Sequence, residues 1–205
     1  MAYDDSDRWG IAYSRLGDIS AENKKAYAEK WGYDFVVQRE RIDKNREMHW
    51  AKITTLIDVV PRYDWVFWTD ADSLVMNYEK KIDEHLDDRY DVIFNEDENG
   101  LNSGHFFIKN TQWSLDFLRE SYSIYPPPKI YANGMYHTWQ DQGAMRTYLT
   151  RHPESQSRVK LCDQKEFNCY IHNYEDGDFI LHFAGGKGND YKLEMMQKYL
   201  RLVRK

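Results

Sequence analysis

The sequence predicts an α/β fold with a mixed central sheet, and three observations carry that prediction. Short apolar runs of strand length alternate along the chain with stretches whose apolar residues recur at helical spacing. The run Trp65-Val66-Phe67-Trp68 is continuously apolar and leads into Asp70 and Asp72, which a single alanine separates. No internal repeat and no flexible polar tract divides the 205 residues, so a single domain over 1–205 is expected.

Residues 9–14 read as a short first strand, entered from an acidic N-terminus. Ser20 is placed to cap a helix over 21–31, which Gly32 ends. Residues 33–38 are a second strand, and the charged stretch 39–47 an exposed loop. Trp50, Ile53, Ile57 and Val60 share one helical face, with Pro61 closing that helix. The run at 65–68 then predicts a strand buried on both faces in the middle of a sheet, with Asp70 and Asp72 at its carboxyl end. Open α/β sheets bind ligands outside those ends. Further on, 80–89 is a surface helix or turn, 91–95 a strand, 96–100 an acidic loop and 105–108 a strand. Thr111 caps a helix carrying Trp113, Phe117 and Leu118. Pro126-Pro127-Pro128 marks a loop within the domain. A helix follows over 139–149, a short strand over 159–161 and a better one over 178–183. The closing helix carries Leu193, Met196, Leu200 and Val203 as one stripe.

Hydrophobic residues make up 41% and charged residues 30%, enough for a core and against disorder. The net charge of −6 argues against nucleic acid as a partner. The aromatic share of 16%, with seven Trp and sixteen Tyr, suits a core and also a surface that stacks on sugars. Cys162 and Cys169 cannot build a disulfide framework and read as reduced, buried thiols. No stretch reaches the length of a membrane span, no signal-peptide core precedes the first strand, and no Asn-x-Ser/Thr acceptor occurs. A cytoplasmic protein, or a domain of a longer one, fits these features.

Four groups of residues could do chemistry. Asp70 and Asp72 would repel each other unless a cation or a proton intervened. A solvated turn is the bland alternative, weakened by the apolar strand before it. His182 ends another apolar run and is followed by Gly185, Gly186 and Lys187. Small residues there admit phosphate oxygens, and a lysine neutralises them. Two carboxylates and an imidazole suit Mn²⁺; Mg²⁺ is a poorer match to the histidine, and Ca²⁺ prefers oxygen throughout. Asn102-Ser103-Gly104 offers amide and hydroxyl groups for sugar hydroxyls, although an ordinary turn explains it as well. Asp141 and Gln142 open a helix, where an acid is favoured by the dipole even without a function.

With these pieces in this order, the chain resembles the GT-A-type glycosyltransferases of the galactosyl/mannosyl/xylosyl transferase family 34. The matching residues are Trp50-Ala51-Lys52, Trp68-Thr69-Asp70-Ala71-Asp72, Asn102-Ser103-Gly104, 110–116, Asp141-Gln142 and 182–187. The small size is similar to that of chlorella-virus capsid-glycosylating domains. The resemblance implies a GT-A, Rossmann-like fold, a nucleotide-diphosphate sugar donor, with UDP before GDP as its carrier, and a glycan or glycoprotein acceptor. It also implies Mn²⁺ and retention of anomeric configuration. It makes Asp70, Asp72 and His182 the metal ligands, Lys187 a contact to the donor diphosphate, and Asp141 with Gln142 an acid–amide pair beside the donor sugar. Ala71, Asn102, Ser103, Gly104, Gly185 and Gly186 fall in its donor-binding motifs. Tyr13 and Ser14, at the end of the first strand, are candidates for the base and ribose, and Lys52 for the same pocket.

Two rivals stand beside this reading. A haloacid-dehalogenase-type phosphatase also places Asp-x-Asp after an apolar strand, with Asp70 as nucleophile. Ser73-Leu74 stands where that family has Gly-Thr. The other rival is a sugar-binding domain without turnover, against which the intact acids Asp70, Asp72 and Asp141 speak.

Overall fold

Among the described residues, fourteen α-helices and β-strands follow one another in chain order. They are α1 (Ile11–Trp31), α2 (Ala51–Val59), β1 (Trp65–Thr69), β2 (Ser73–Val75), β3 (Val92–Asp97), β4 (Gly100–Lys109), α3 (Gln112–Ser123), β5 (Ile130–Ala132), β6 (Met135–His137), α4 (Gln140–Arg151), β7 (Val159–Asp163), β8 (Cys169–Tyr170), β9 (Ile180–His182) and α5 (Asn189–Leu200). This computed structural model describes residues 1–3, 11–40, 43–132, 135–185 and 188–205. Two compact units emerge. One comprises Met1–Glu40, Thr69–His85 and Gln164–Lys205; the other comprises Arg41–Trp68 and Leu86–Asp163.

In the first unit, β2, β9 and β8 form a sheet in that order, β2 antiparallel and β8 parallel to β9. Leu16, Leu74, Met76, Leu181 and Met196 pack with Tyr3 into its core. Helix α1 reaches ten residues further toward the N-terminus than Ser20 suggests, so 11–14, expected as a strand, are helical. Trp9 and Gly10 lie outside the described residues. Ser20 is no cap. It sits on the buried side of α1, where its hydroxyl donates to Ser73 O at 2.9 Å. Asn23, three residues on, exchanges two hydrogen bonds with the backbone of Val75, at 2.8 and 3.0 Å. These polar side chains bind the free edge of β2 to a helix, satisfying backbone groups that an edge strand leaves open. Gly32 ends α1 at φ 74, as expected. The expected second strand shrinks to one bridge, Ala2 with Gln38.

In the second unit the strand order is β1-β4-β3-β7, with β3 antiparallel to β4 and parallel to β7. The mixed sheet is as predicted. The apolar strand β1 lies at its edge, however, and Trp65, Val66 and Phe67 are only half-buried. Its rings find partners along the sheet: Phe67 meets Phe107 of β4 at 4.5 Å, and the Lys109 ammonium lies 5.6 Å from the Trp65 ring. The strands buried through most of their length are β3 and β4. Strand β4 was legible only over 105–108 because Asn102 and Ser103, both buried, break the apolar pattern of its first half. Asn102-Ser103-Gly104 is therefore strand and not a turn. Thr111 caps α3 as expected, its hydroxyl accepting from Ser114 N at 3.2 Å. In the loop before α2, Arg46 is packed and not exposed, its guanidinium 3.7 Å from the Tyr122 ring centre. Among the described residues, no helix is long and apolar enough to cross a membrane.

Candidate metal centre and buried lysine–acid pair

The first unit gathers Asp70, Asp72 and His182. The two aspartates lie between β1 and β2, and the antiparallel register sets His182 opposite Ser73. Phe183 N donates to Asp72 O at 2.8 Å, which closes the turn onto the end of β9. One ligand atom from each of the three side chains lies within 4.8 Å of the others.

The histidine's orientation tests whether these residues fit a metal. Its Nδ1 is 2.9 Å from Asn168 Oδ1, an acceptor, so the network puts the proton on Nδ1. That leaves the Nε2 lone pair pointing at Asp72 Oδ1, 3.2 Å away. Two lone pairs at that distance call for a cation between them or a further proton on the ring. A ring held through one nitrogen, with a carboxylate facing the other, is the usual build of a metal-ligating histidine. The O,O,N donor set fits a divalent metal of manganese type.

Two lysines complete the electrostatics. Lys192 Nζ lies 2.7 Å from Asp72 Oδ2. Burial alone would raise the Asp72 carboxyl, but Lys192 and His182 outweigh it and hold the group well below the usual carboxylate range. Lys24 is buried in α1, and its ammonium donates to Asp70 O at 2.5 Å and to Ser20 Oγ at 2.7 Å. Burial brings its pKa down to about 7 against the opposing pull of Asp70 and Asp72. Ser73 Oγ donates to Asp70 O at 2.8 Å, so Ser20, Lys24 and Ser73 together clamp the turn that carries the two acids. Sequence reasoning missed Lys24, Asn168 and Lys192. Ser20 and Lys24 are four apart and share a helix face, but a polar pair at that spacing reads as a solvated surface. Asn168 and Lys192 carried no local signal.

The second unit holds the other predicted residues. Lys52, on α2, meets Asp141 Oδ2 at 2.9 Å, the two side chains 6% and 7% exposed. The Lys52 ammonium also donates to Ser103 O at 2.8 Å. Ser103 Oγ donates to Asp141 Oδ2 at 3.2 Å, while Ser103 N donates to Gln142 Oε1 at 2.9 Å. Asn102 folds back, its Oδ1 accepting from Gly104 N at 2.8 Å. Lys52, Ser103, Asp141 and Gln142 thus form one buried network, although they come from α2, β4 and α4. The entry to α4 is strained. Trp139 and Gln140 take φ of 42 and 43, a region non-glycine residues avoid at a cost of order 1–3 kcal/mol each. Gly143 is needed there, because a Cβ would come within 2.1 Å of Thr138 O. Strain of this kind collects where a side chain must be aimed.

Of the remaining predicted residues, Tyr13 and Ser14 lie half-buried in the first turn of α1, not at the end of a strand. Ala71 packs into the first unit's core. Gly185 is exposed at φ 95, with nothing within 4 Å of where a Cβ would sit. Gly186 and Lys187 lie outside the described residues.

Comparison with known proteins places this geometry. A family model described as "Protein of unknown function, DUF273" matches residues 24–200. An alpha-1,2-galactosyltransferase of Schizosaccharomyces pombe is 26% identical over 213 residues, which cover 80% of this chain and 54% of that protein. Xyloglucan 6-xylosyltransferase 4 of Arabidopsis thaliana is 28% identical over 201 residues, covering 88% and 37%. The chain spans about half the length of the curated relatives it matches. Among solved structures, a glycosyltransferase involved in the glycosylation of the major capsid of PBCV-1 superposes with a TM-score of 0.72 at 16% identity, covering 96% of this chain and 97% of that one. The galactosyltransferase LgtC, in complex with donor and acceptor sugar analogs, does so at 0.58 and 13%, covering 98% and 94%. At such identities the likeness shows the fold, which is the GT-A fold that the motif resemblance implies.

Proposed function

This chain belongs to the DUF273 family, and from that premise we propose that it is a metal-dependent, retaining glycosyltransferase. It moves a sugar from a nucleotide-diphosphate donor, UDP-linked by resemblance, to a glycan or glycoprotein acceptor, and it acts as one catalytic domain. The observation that carries the reading is the convergence of Asp70, Asp72 and His182, with Asn168 on Nδ1 and Nε2 of the imidazole turned toward Asp72. The names of the relatives, galactosyltransferase and xylosyltransferase among them, support the reaction class.

Asp70, Asp72 and His182 would hold the metal, Mn²⁺ before Mg²⁺. Bound there, it supplies Lewis-acid stabilisation of the negative charge that develops on the departing nucleoside diphosphate. Lys187 keeps the role the resemblance assigns it, a contact to that diphosphate. Lys192 adds a second ammonium beside Asp72, where the leaving group's charge would gather. In the second unit, Lys52 and Ser103 hold the Asp141 carboxyl group in place, and Gln142 is fixed through Ser103 N. A carboxylate so held can steady an oxocarbenium-like sugar or attack it, which keeps both retaining routes open.

The test is to incubate the chain with a panel of nucleotide sugars, with and without Mn²⁺, and follow release of the nucleoside diphosphate. Metal-dependent turnover of at least one donor is expected, with Asp70→Asn and Asp72→Asn inactive and unable to bind Mn²⁺ by electron paramagnetic resonance. Activity on phosphomonoesters alone would make the phosphatase the correct reading. Donor binding without turnover would leave a sugar-binding domain.

A further inference from the structure

The hairpin of β5 and β6 sets Tyr131 directly opposite Tyr136. Opposed residues of an antiparallel pair project from the same face, and these two rings meet at 5.1 Å with planes 65° apart. They are 63% and 70% exposed, more than any other large hydrophobic side chain among the described residues. Packing does not account for side chains that stand this far out of the core. The hairpin also runs straight into the buried network of the same unit. The His137 ring, at the end of β6, stacks on Trp139 at 5.0 Å. Trp139 is the first of the two residues of positive φ that directly precede Asp141.

The size and chemistry of the patch select its occupant. An aromatic side chain buries on the order of 150–250 Å² when fully enclosed. These two are already about a third covered, so together they fall well short of the roughly 800 Å² that each side of a stable protein interface contributes. One pyranose ring is the matching scale. Its C–H face carries partial positive charge and lies well on the negative face of an aromatic ring, while the phenol hydroxyls reach sugar hydroxyls. Tyrosine gives this contact with only two side-chain torsions to fix. We propose that Tyr131 and Tyr136 form a stacking platform for a neutral oligosaccharide, the acceptor of the transfer; this assignment of the acceptor rests on the glycosyltransferase reading.

Isothermal titration of the full chain against neutral oligosaccharides of two to six pyranose units tests the platform directly. The wild type is expected to bind at least one of them. Tyr131→Ala/Tyr136→Ala should bind it about tenfold or more weakly, the scale on which truncating a stacking aromatic ring is felt. Tyr131→Phe/Tyr136→Phe keeps the rings and should retain most of the affinity. The single alanine variants, each with a smaller loss, guard against a fold defect in the double. No binding by the wild type, or equal binding by wild type and double alanine variant, overturns the platform. Donor turnover by the wild type, measured in parallel, tests the underlying reading separately. Oligosaccharide binding through the tyrosines without donor turnover sinks the transferase and leaves the platform; donor turnover with no effect of the tyrosines does the reverse.

Discussion

Removing the Asp141 carboxylate should cost the protein stability as well as chemistry, and the size of the effect can be worked out beforehand. Lys52 and Asp141 are 2.9 Å apart, with side chains 6% and 7% exposed. Asp141→Ala removes the carboxylate 2.9 Å from the Lys52 ammonium, which stays buried beside Ser103 O and Oγ, at 2.8 and 3.3 Å. Breaking a buried ion pair from one side costs about 3–5 kcal/mol. In a chain of this length each kcal/mol moves the unfolding midpoint by roughly 2–4 °C, so a fall on the order of 6–20 °C is expected. Lys52→Met should cost a comparable amount, by stranding the carboxylate. The double variant Lys52→Met/Asp141→Ala removes both charges and should cost less than the two singles added, with a coupling of about 1.5–3 kcal/mol. Urea denaturation of the four proteins measures all of this. If Asp141→Ala lies within about 1 kcal/mol of the wild type, or the singles simply add, the buried pair does not exist in solution. The same data decide how a loss of activity in Asp141→Ala should be read, since an unfolded fraction must be subtracted first.

Two further outcomes follow from the first unit. Asn168→Ala removes the acceptor that holds the His182 ring, and Mn²⁺ affinity, read by electron paramagnetic resonance, should fall about 10–100-fold; unchanged affinity would mean that the ring needs no such orientation. His85 stacks on Phe179 and meets Phe167 edge-on, and burial lowers its pKa against the opposing pull of Glu166. A histidine with a depressed folded pKa contributes stability that is complete above its unfolded value near 6.5 and is lost as pH falls toward the folded value. Unfolding free energy should therefore drop with a slope of up to about 1.4 kcal/mol per pH unit below about pH 6.5, and His85→Gln should flatten that window. An identical pH profile in the variant would remove His85 as the source.

The sequence by itself determined the class of fold and singled out Asp70, Asp72 and His182 as a candidate ligand set. Alternating periodicities are local, and so are the signals that ended α1 at Gly32 and began α3 at Thr111. Asp70 and Asp72 are legible because an apolar run precedes them, and His182 because it ends another. Tertiary structure decided what depends on partners distant in the chain. Whether 65–68 lies inside a sheet or at its edge is set by which strands pair with it, and the order β1-β4-β3-β7 puts it at the edge. The first half of β4 was hidden because Asn102 and Ser103 interrupt its apolar pattern, and their burial is tolerated only once partners are in place. For Ser103, those partners are Lys52, Asp141 and Gln142. Lys24 and Lys192 make the same point from the charged side. A lysine in a helix reads as solvent-facing until folding brings acceptors to it, and the Asp70 carbonyl that Lys24 meets and the Asp72 carboxylate that Lys192 meets lie 46 and 120 residues away.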